Sequence, residues 1–277
     1  SNPCGITYNP ISIGNQLHAL NAQIPLSSSV LIQDEPYPLE HHGSFKMSSL
    51  EEQNRNILES WSPAQEQFNR GQMLLITLGT AFIFTLKDRV VNNCHRLPAK
   101  MFQERLLTVE ETVVALQAPL EEWLSKDLGR RVVLTVSPVR HLRNGLQGNT
   151  LSKSILRIAC DHLVQSSRIL YFPAYEIMVD ELRGYRFYKD DLLHPSDRAE
   201  QYIWECFQSW ILSQRSAVLY KEVLRLERAL GHRFQRKPDQ PWIDALTKRM
   251  DHLERAHPDL DWTEEREHCE QRISDIN

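Results

Sequence analysis

Asp191 and His194 stand three residues apart in Lys189-Asp190-Asp191-Leu192-Leu193-His194-Pro195, with a proline directly after the histidine. Imidazole titrates near neutral pH, so it can take and return a proton. A carboxylate on its other ring nitrogen fixes the tautomer and stabilises the imidazolium. The pair therefore has the makings of a general base and its orienter. The same spacing also fits a solvated loop acid ahead of a helix. Other residues offer accessory chemistry. Asn93, in Asn93-Cys94-His95, carries an amide able to donate to an oxyanion. Cys94 and His95 are sequence neighbours and are not expected to face each other as a dyad. Arg140 and His141 can hold an anion or a substrate oxygen, or pair with the acidic loop. Gly5 is a turn glycine or a backbone amide aimed at a ligand. His41-His42-Gly43-Ser44 has no third ligand at a metal-binding spacing, so an exposed loop is expected. No metal site and no cofactor are expected.

These residues need elements to position them. Residues 72–78 form a short continuous apolar run ended by Gly79-Thr80, which reads as a fully buried parallel strand. Residues 131–138 and 168–172 read as two more strands. Between the first two, Thr108 and Glu111 form a capping box ahead of Val113, Leu116, Leu120 and Trp123 at helical spacing, with Gly129 as the stop. Between the second and third, Asn149 or Thr150 starts a helix with Ile155, Ile158, Ala159 and Leu163 on one face. Strand, helix, strand, helix, strand implies right-handed crossovers and a parallel sheet with helices on both faces. Ligands in such sheets sit beyond the carboxyl ends of the strands. That end should gather Gly79, Arg140, His141, Asp191 and His194.

The flanks are less regular. Prolines and glycines break residues 1–45, with a short helix at 13–20. Ser48 and Glu51 match a capping box for a helix running to Gln67. Residues 81–107 are mixed. Asp197 opens a long helix expected to continue through Leu226, with Gly231 as its stop. A shorter helix ends near Pro258, and residues 262–275 form a last, charged one. The expected division is an α/β domain over 1–212 and an α-helical extension over 213–277.

Of the 277 residues 41% are apolar, enough for a sizeable core. The net charge of −4 argues against a nucleic-acid or membrane-surface binder, because phosphate contacts need a basic face. No run of about 18 apolar residues offers a transmembrane helix. Cys4, Cys94, Cys160, Cys206 and Cys269 are odd in number and without CxxC spacing, as expected of free thiols in the cytoplasm.

Several stretches are distinctive. They are 2–10 (NPCGITYNP), 77–82 (TLGTAF), 93–98 (NCHRLP), 134–143 (LTVSPVRHLR), 171–176 (YFPAYE) and 180–197 (DELRGYRFYKDDLLHPSD). Together they resemble the GSCFA family, a bacterial branch of the SGNH (GDSL-like) hydrolase superfamily. The resemblance implies a three-layer α/β/α sandwich with a mainly parallel sheet and a Ser-His-Asp site. Its Asp-x-x-His block matches Asp191 and His194, and its glycine block, one oxyanion amide, matches Gly5. Its Gly-x-Asn-Asp block falls at Gly79-Thr80-Ala81-Phe82, where the asparagine is missing and Asn93 is the candidate replacement. Arg140 and His141 would line the pocket.

The family's Gly-Ser-Cys-Phe-Ala pentapeptide, at the end of the first strand, carries the nucleophilic serine and is not among the 277 residues. The expectation is a chain without its first strand and nucleophile, inert by itself. The implied activity is that of an esterase or acyltransferase on an O-acyl ester of a small molecule or carbohydrate. The alternative is a non-catalytic binding or scaffold protein on a hydrolase-like fold. An apolar stripe on the extension allows a homo-oligomer.

Overall fold

The computed structural model describes residues 2–26, 29–231 and 240–274. The chain divides into two compact units at Ile203/Trp204.

The first unit opens with α1 (Pro10–Ala22), longer than the expected helix at 13–20. Asn9 caps it by accepting from the Ser12 amide at 2.9 Å, and Pro10 occupies the first turn, where its missing N–H costs nothing. β1 (Val30–Ile32) and β2 (Glu35–Tyr37) make a hairpin that turns at Gln33-Asp34, both at positive φ. α2 (Leu50–Arg70) follows. Its cap is Ser49, whose Oγ accepts from the Glu52 amide, so the expected Ser48/Glu51 box is displaced by one residue. Ser48 instead donates to the Glu52 carboxylate.

β3 (Met73–Leu78) leads into β4 (Phe82–Leu86), β5 (Arg89–Val91) and β6 (Gln103–Leu106). The last three form an antiparallel sheet of order β5-β4-β6, which the mixed pattern of 81–107 did not disclose. α3 (Val109–Ser125) starts with the expected reciprocal capping box of Thr108 and Glu111. β7 (Arg131–Val136), α4 (Gly145–Leu163), β8 (Ile169–Phe172) and the short α5 (Ala174–Glu176) complete the alternation. α6 (Asp197–Ile211) runs out of this unit.

The sheet is parallel, of order β3-β7-β8, as the strand–helix alternation implied. Its register runs from Met73↔Arg131 to Leu78↔Val136 and from Val132↔Ile169 to Thr135↔Phe172. β7 is central, with Val132, Val133, Leu134 and Val136 fully buried. β3 departs from expectation. Ile76 and Leu78 are buried, but Met73 and Leu75 are half exposed, because side chains alternate between the two faces and the face carrying 73, 75 and 77 is left open.

Leu78, Leu116, Leu120, Trp123, Leu134 and Leu156 share one core. Each such side chain stabilises the fold by about 1.5–3 kcal/mol through removal from water. The Trp123 indole donates to the Phe68 carbonyl at 3.0 Å, tying α3 to α2 without orphaning its N–H. Gly14 lies where α1 meets α3; a Cβ there would sit 2.1 Å from the Ala115 carbonyl oxygen.

In the second unit α7 (Gln214–Leu230), α8 (Gln240–Ala256) and α9 (Thr263–Ser274) enclose a core of Leu226, Leu230, Leu246, Met250, Leu253 and Trp262. The single long helix expected from Asp197 is two. Ser213 breaks it, because its Oγ accepts from the Ser216 amide and caps α7. Among the described residues no helix is long and apolar enough to cross a membrane. The five cysteines are free.

Candidate active site

The Asp191–His194 loop is held from both ends. Tyr188 and Pro195 form an antiparallel bridge, and the Lys189 amide donates to the His194 carbonyl at 2.8 Å. Inside that closure the Leu192 amide donates to the Lys189 carbonyl at 2.9 Å, and Leu192 takes φ +59. The turn brings Asp191 under its own loop. Its Oδ1 accepts from the Leu193 and His194 amides at 2.8 and 3.0 Å, and its Oδ2 lies 2.6 Å from His194 Nδ1. The two backbone amides, then the imidazole, hold the Asp191 carboxyl down at about 2. It is ionised at neutral pH and can only accept, so Nδ1 carries the proton of this hydrogen bond, and in the neutral imidazole Nε2 is the acceptor. Both side chains are about half exposed, at 53% for His194 and 44% for Asp191.

Arg140 joins this loop to the sheet. Its amide donates to the Leu193 carbonyl at 3.2 Å and its guanidinium to the Leu192 carbonyl at 3.1 Å. The guanidinium also stacks over the Tyr188 ring at 4.1 Å. Arg140 follows the carboxyl end of β7, so the pair does lie against a segment leaving that end. Among the described residues no hydrogen bond joins His141 to the Asp191–His194 loop. Its amide donates to Asn149 Oδ1 at 2.9 Å, and its Nδ1 is buried without a partner. Burial, then the nearby Lys153 ammonium, lowers its pKa.

Gly79 is tied elsewhere. Its amide donates to the Tyr8 carbonyl at 2.8 Å, and a Cβ on it would press the Tyr8 side chain at 3.0 Å. Gly5 sits at φ +73 with its amide bonded to the Asn2 carbonyl at 3.0 Å. It is a turn glycine packed on His42, where a Cβ would meet His42 Cβ at 2.6 Å. Asn93 Oδ1 accepts from the His95 amide at 2.7 Å, and its backbone amide donates to the Leu39 carbonyl. Gly5 and Asn93 therefore belong to one loop cluster, joined through Asn92, whose side chain reaches Ile6 and Thr7. Asp191, His194 and Arg140 form another. Among the described residues no hydrogen bond joins His194 to Gly5, Gly79 or Asn93.

Two buried groups were not foreseen. Lys153 is 2% exposed, and its ammonium donates at 2.7 Å to the carbonyls of both Gly79 and Ser137. It ties the carboxyl ends of β3 and β7 together, and burial brings its pKa down to about 8. The signal was present: Ser152 and Lys153 fall in the buried stripe Asn149, Leu156, Ala159, Cys160 and Leu163, whereas Ile158, placed on that face by sequence, is exposed. His41, expected in an exposed loop, is 1% exposed, with neither ring nitrogen hydrogen-bonded. It packs against Phe45 at 5.1 Å between ring centroids. Cys94 does not act with His95. Its thiol is pushed up by burial, and His95 Nε2 bonds to the Pro38 carbonyl at 3.0 Å. Among the described residues no cluster of three or more His, Cys, Asp or Glu could hold a metal.

The first unit is thus a mixed α/β unit built on a parallel sheet, with the Asp191–His194 pair on a loop after the last strand of that sheet. The chain belongs to the GSCFA family, whose model matches residues 1–207, the first unit and the start of α6's second half. No curated protein and no solved structure matches it.

Proposed function

We propose that the protein carries the base and orienter of a serine esterase or acyltransferase acting on an O-acyl ester of a small molecule or carbohydrate. The Asp191–His194 hydrogen bond carries this reading. It occupies the block position that the SGNH-type hydrolases, which the sequence resembles, use for the same pair. His194 Nε2 takes the hydroxyl proton as the serine oxygen bonds to the acyl carbon and the carbonyl electrons move onto oxygen. Collapse of that intermediate breaks the bond to the leaving alcohol, which takes the proton from Nε2. Water or a second alcohol then attacks the acyl-serine by the same steps and frees the serine. Asp191 holds Nδ1–H throughout, and Arg140 anchors the loop that carries both. The serine has no counterpart in the pentapeptide position among these 277 residues, so this reading assigns it to polypeptide outside them. Five free thiols suit a reducing, cytoplasmic setting.

A second reading is a binding or scaffold protein without turnover. The commitment of the Gly5 and Gly79 amides to the Asn2 and Tyr8 carbonyls favours it, since an oxyanion would have to displace those acceptors. The test compares the 277-residue chain with the polypeptide carrying its own upstream residues, on p-nitrophenyl acetate and on acetylated sugars. Turnover is expected in the longer form alone, lowered about 10²–10⁴-fold by His194→Ala. A longer form that turns over no O-acyl substrate selects the binding reading. Turnover by the 277-residue chain that His194→Ala abolishes overturns the assignment of the serine to outside residues.

A further inference from the structure

The ribbon that carries His194 has two faces. Tyr188 bridges Pro195, the Lys189 amide donates to the His194 carbonyl, and the Ser196 amide donates to the Phe187 carbonyl, both bonds at 2.8 Å. Side chains alternate across such a pair. Tyr188 and Pro195 therefore share one face, and Phe187, Lys189, His194 and Ser196 the other. Burial agrees: Tyr188 and Pro195 are buried, whereas Lys189 and His194 are exposed and Phe187 is half-buried. Phe187 stands across from Ser196, so His194 is its diagonal neighbour, roughly 7–8 Å away.

Two guanidiniums lie over the Phe187 ring. Arg186 is 4.8 Å and Arg198 5.8 Å from its centroid. Arg186 precedes the ring in the chain, and Arg198 comes from the first turn of α6. Among the described residues neither guanidinium has a carboxylate or hydrogen-bonding partner. The acids nearby are taken. Asp191 holds His194, and Asp197 and Glu200 each lie 3.4 Å from the Lys189 ammonium. Asp190 sits in the turn, at the far end of the ribbon from Phe187. Two positive charges thus stand beside the His194 imidazole without a counter-charge. The ring steadies them, because a cation over an aromatic face is attracted to it. A guanidinium lying there keeps its planar fork of N–H groups for an anion.

We infer that Arg186 and Arg198 form an anion subsite beside His194, and that its ligand is a small molecule bearing a carboxylate or a phosphate. The inference rests on the reading of Asp191–His194 as base and orienter for one point alone, that this ligand is the acyl substrate. The substrate is then an acidic O-acyl ester, of the sugar-acid or sugar-phosphate class. Guanidinium forks meet carboxylate and phosphate oxygens two bonds at a time, so the arginines supply direction as well as charge. A neutral sugar offers them no charge to pair with. The diagonal placement of Phe187 and His194 keeps the acid and the ester within reach of one sugar unit.

NMR titration of the 277-residue chain reads this binding without turnover. The probes are glucuronic acid, glucose 6-phosphate and glucose. At least one acidic probe should move the Arg186 and Arg198 Nε–H signals and the His194 ring signals, and should bind about 10-fold or more tighter than glucose. The tighter of the two acids tells a carboxylate site from a phosphate site. Arg186→Gln combined with Arg198→Gln should remove that preference. Both side chains are exposed, and unchanged β7 amide signals check that the variant folds. Acidic probes that bind no better than glucose, or as well without the arginines, overturn the inference. So does arginine-dependent binding that leaves the His194 signals unmoved, because the subsite then lies apart from the pair. Binding as expected, beside a longer polypeptide that turns over no O-acyl ester, keeps the subsite and discards only the esterase reading.

Discussion

His194 and Asp191 show how a short loop can set a proton-transfer pair without deep burial. Two backbone amides and the imidazole converge on one carboxylate, so the tautomer follows from local hydrogen bonds rather than from a low-dielectric pocket. His41 is the opposite case, a buried imidazole that no acceptor compensates. Burial, then the nearby His95, lowers its pKa from 6.5 to about 4. Between those values the unfolded chain binds the proton and the folded chain does not. Stability is therefore full above pH 6.5 and is lost as pH falls through about 4, by about 3 kcal/mol in all. Urea midpoints measured from pH 7 to 4.5 should fall less steeply in His41→Leu than in the parent. Equal slopes would mean that His41 has access to water or a partner.

At the scale of elements, the sheet's carboxyl end is tied together from within. Lys153 on α4 reaches the last carbonyls leaving β3 and β7, Ser152 on the same turn accepts from the Ala81 amide at 2.8 Å, and Tyr8 accepts from Gly79 and Thr80. These contacts fix where Arg140, and through it the Asp191–His194 loop, leaves the sheet. α1 is set against α3 by Gly14. Gly14→Ala gains up to about 1 kcal/mol of helix propensity. The added methyl meets a backbone carbonyl that cannot rotate away, and overpacking costs about 1–3 kcal/mol. A net loss of stability is expected, read as a lower melting temperature. A rise would show that α1 slides on α3 at little cost.

At the scale of the molecule, the family match and the first compact unit end within a few residues of each other, at 207 and Ile203. The helical unit has its own core around the fully buried Met250. Met250→Ala should destabilise that unit by about 2–5 kcal/mol. If the two units are separate cooperative blocks, amide exchange in β7 should stay as in the parent. Faster exchange at β7 would show one cooperative block. Within the first unit's parallel sheet β7 is central and covered, while β3 lies at an edge.

The alternation of strands and helices was legible in the residues themselves. Apolar runs at 72–78 and 131–138, the Thr108/Glu111 box and the Gly231 stop are local signals, set by backbone chemistry within a few residues. The Asp191–His194 contact was legible for the same reason, since three residues of loop suffice to make it. Local signals do not report what lies beside an element. Whether the run at 72–78 is central or an edge depends on neighbours distant in sequence, and so does the burial of His41 and Lys153. Whether the Gly5 and Gly79 amides are free depends on Asn2 and Tyr8, which meet them only through the turn and the packing of the first nine residues. Tertiary structure alone decided those points, because burial and hydrogen-bond partners are properties of the assembled surface.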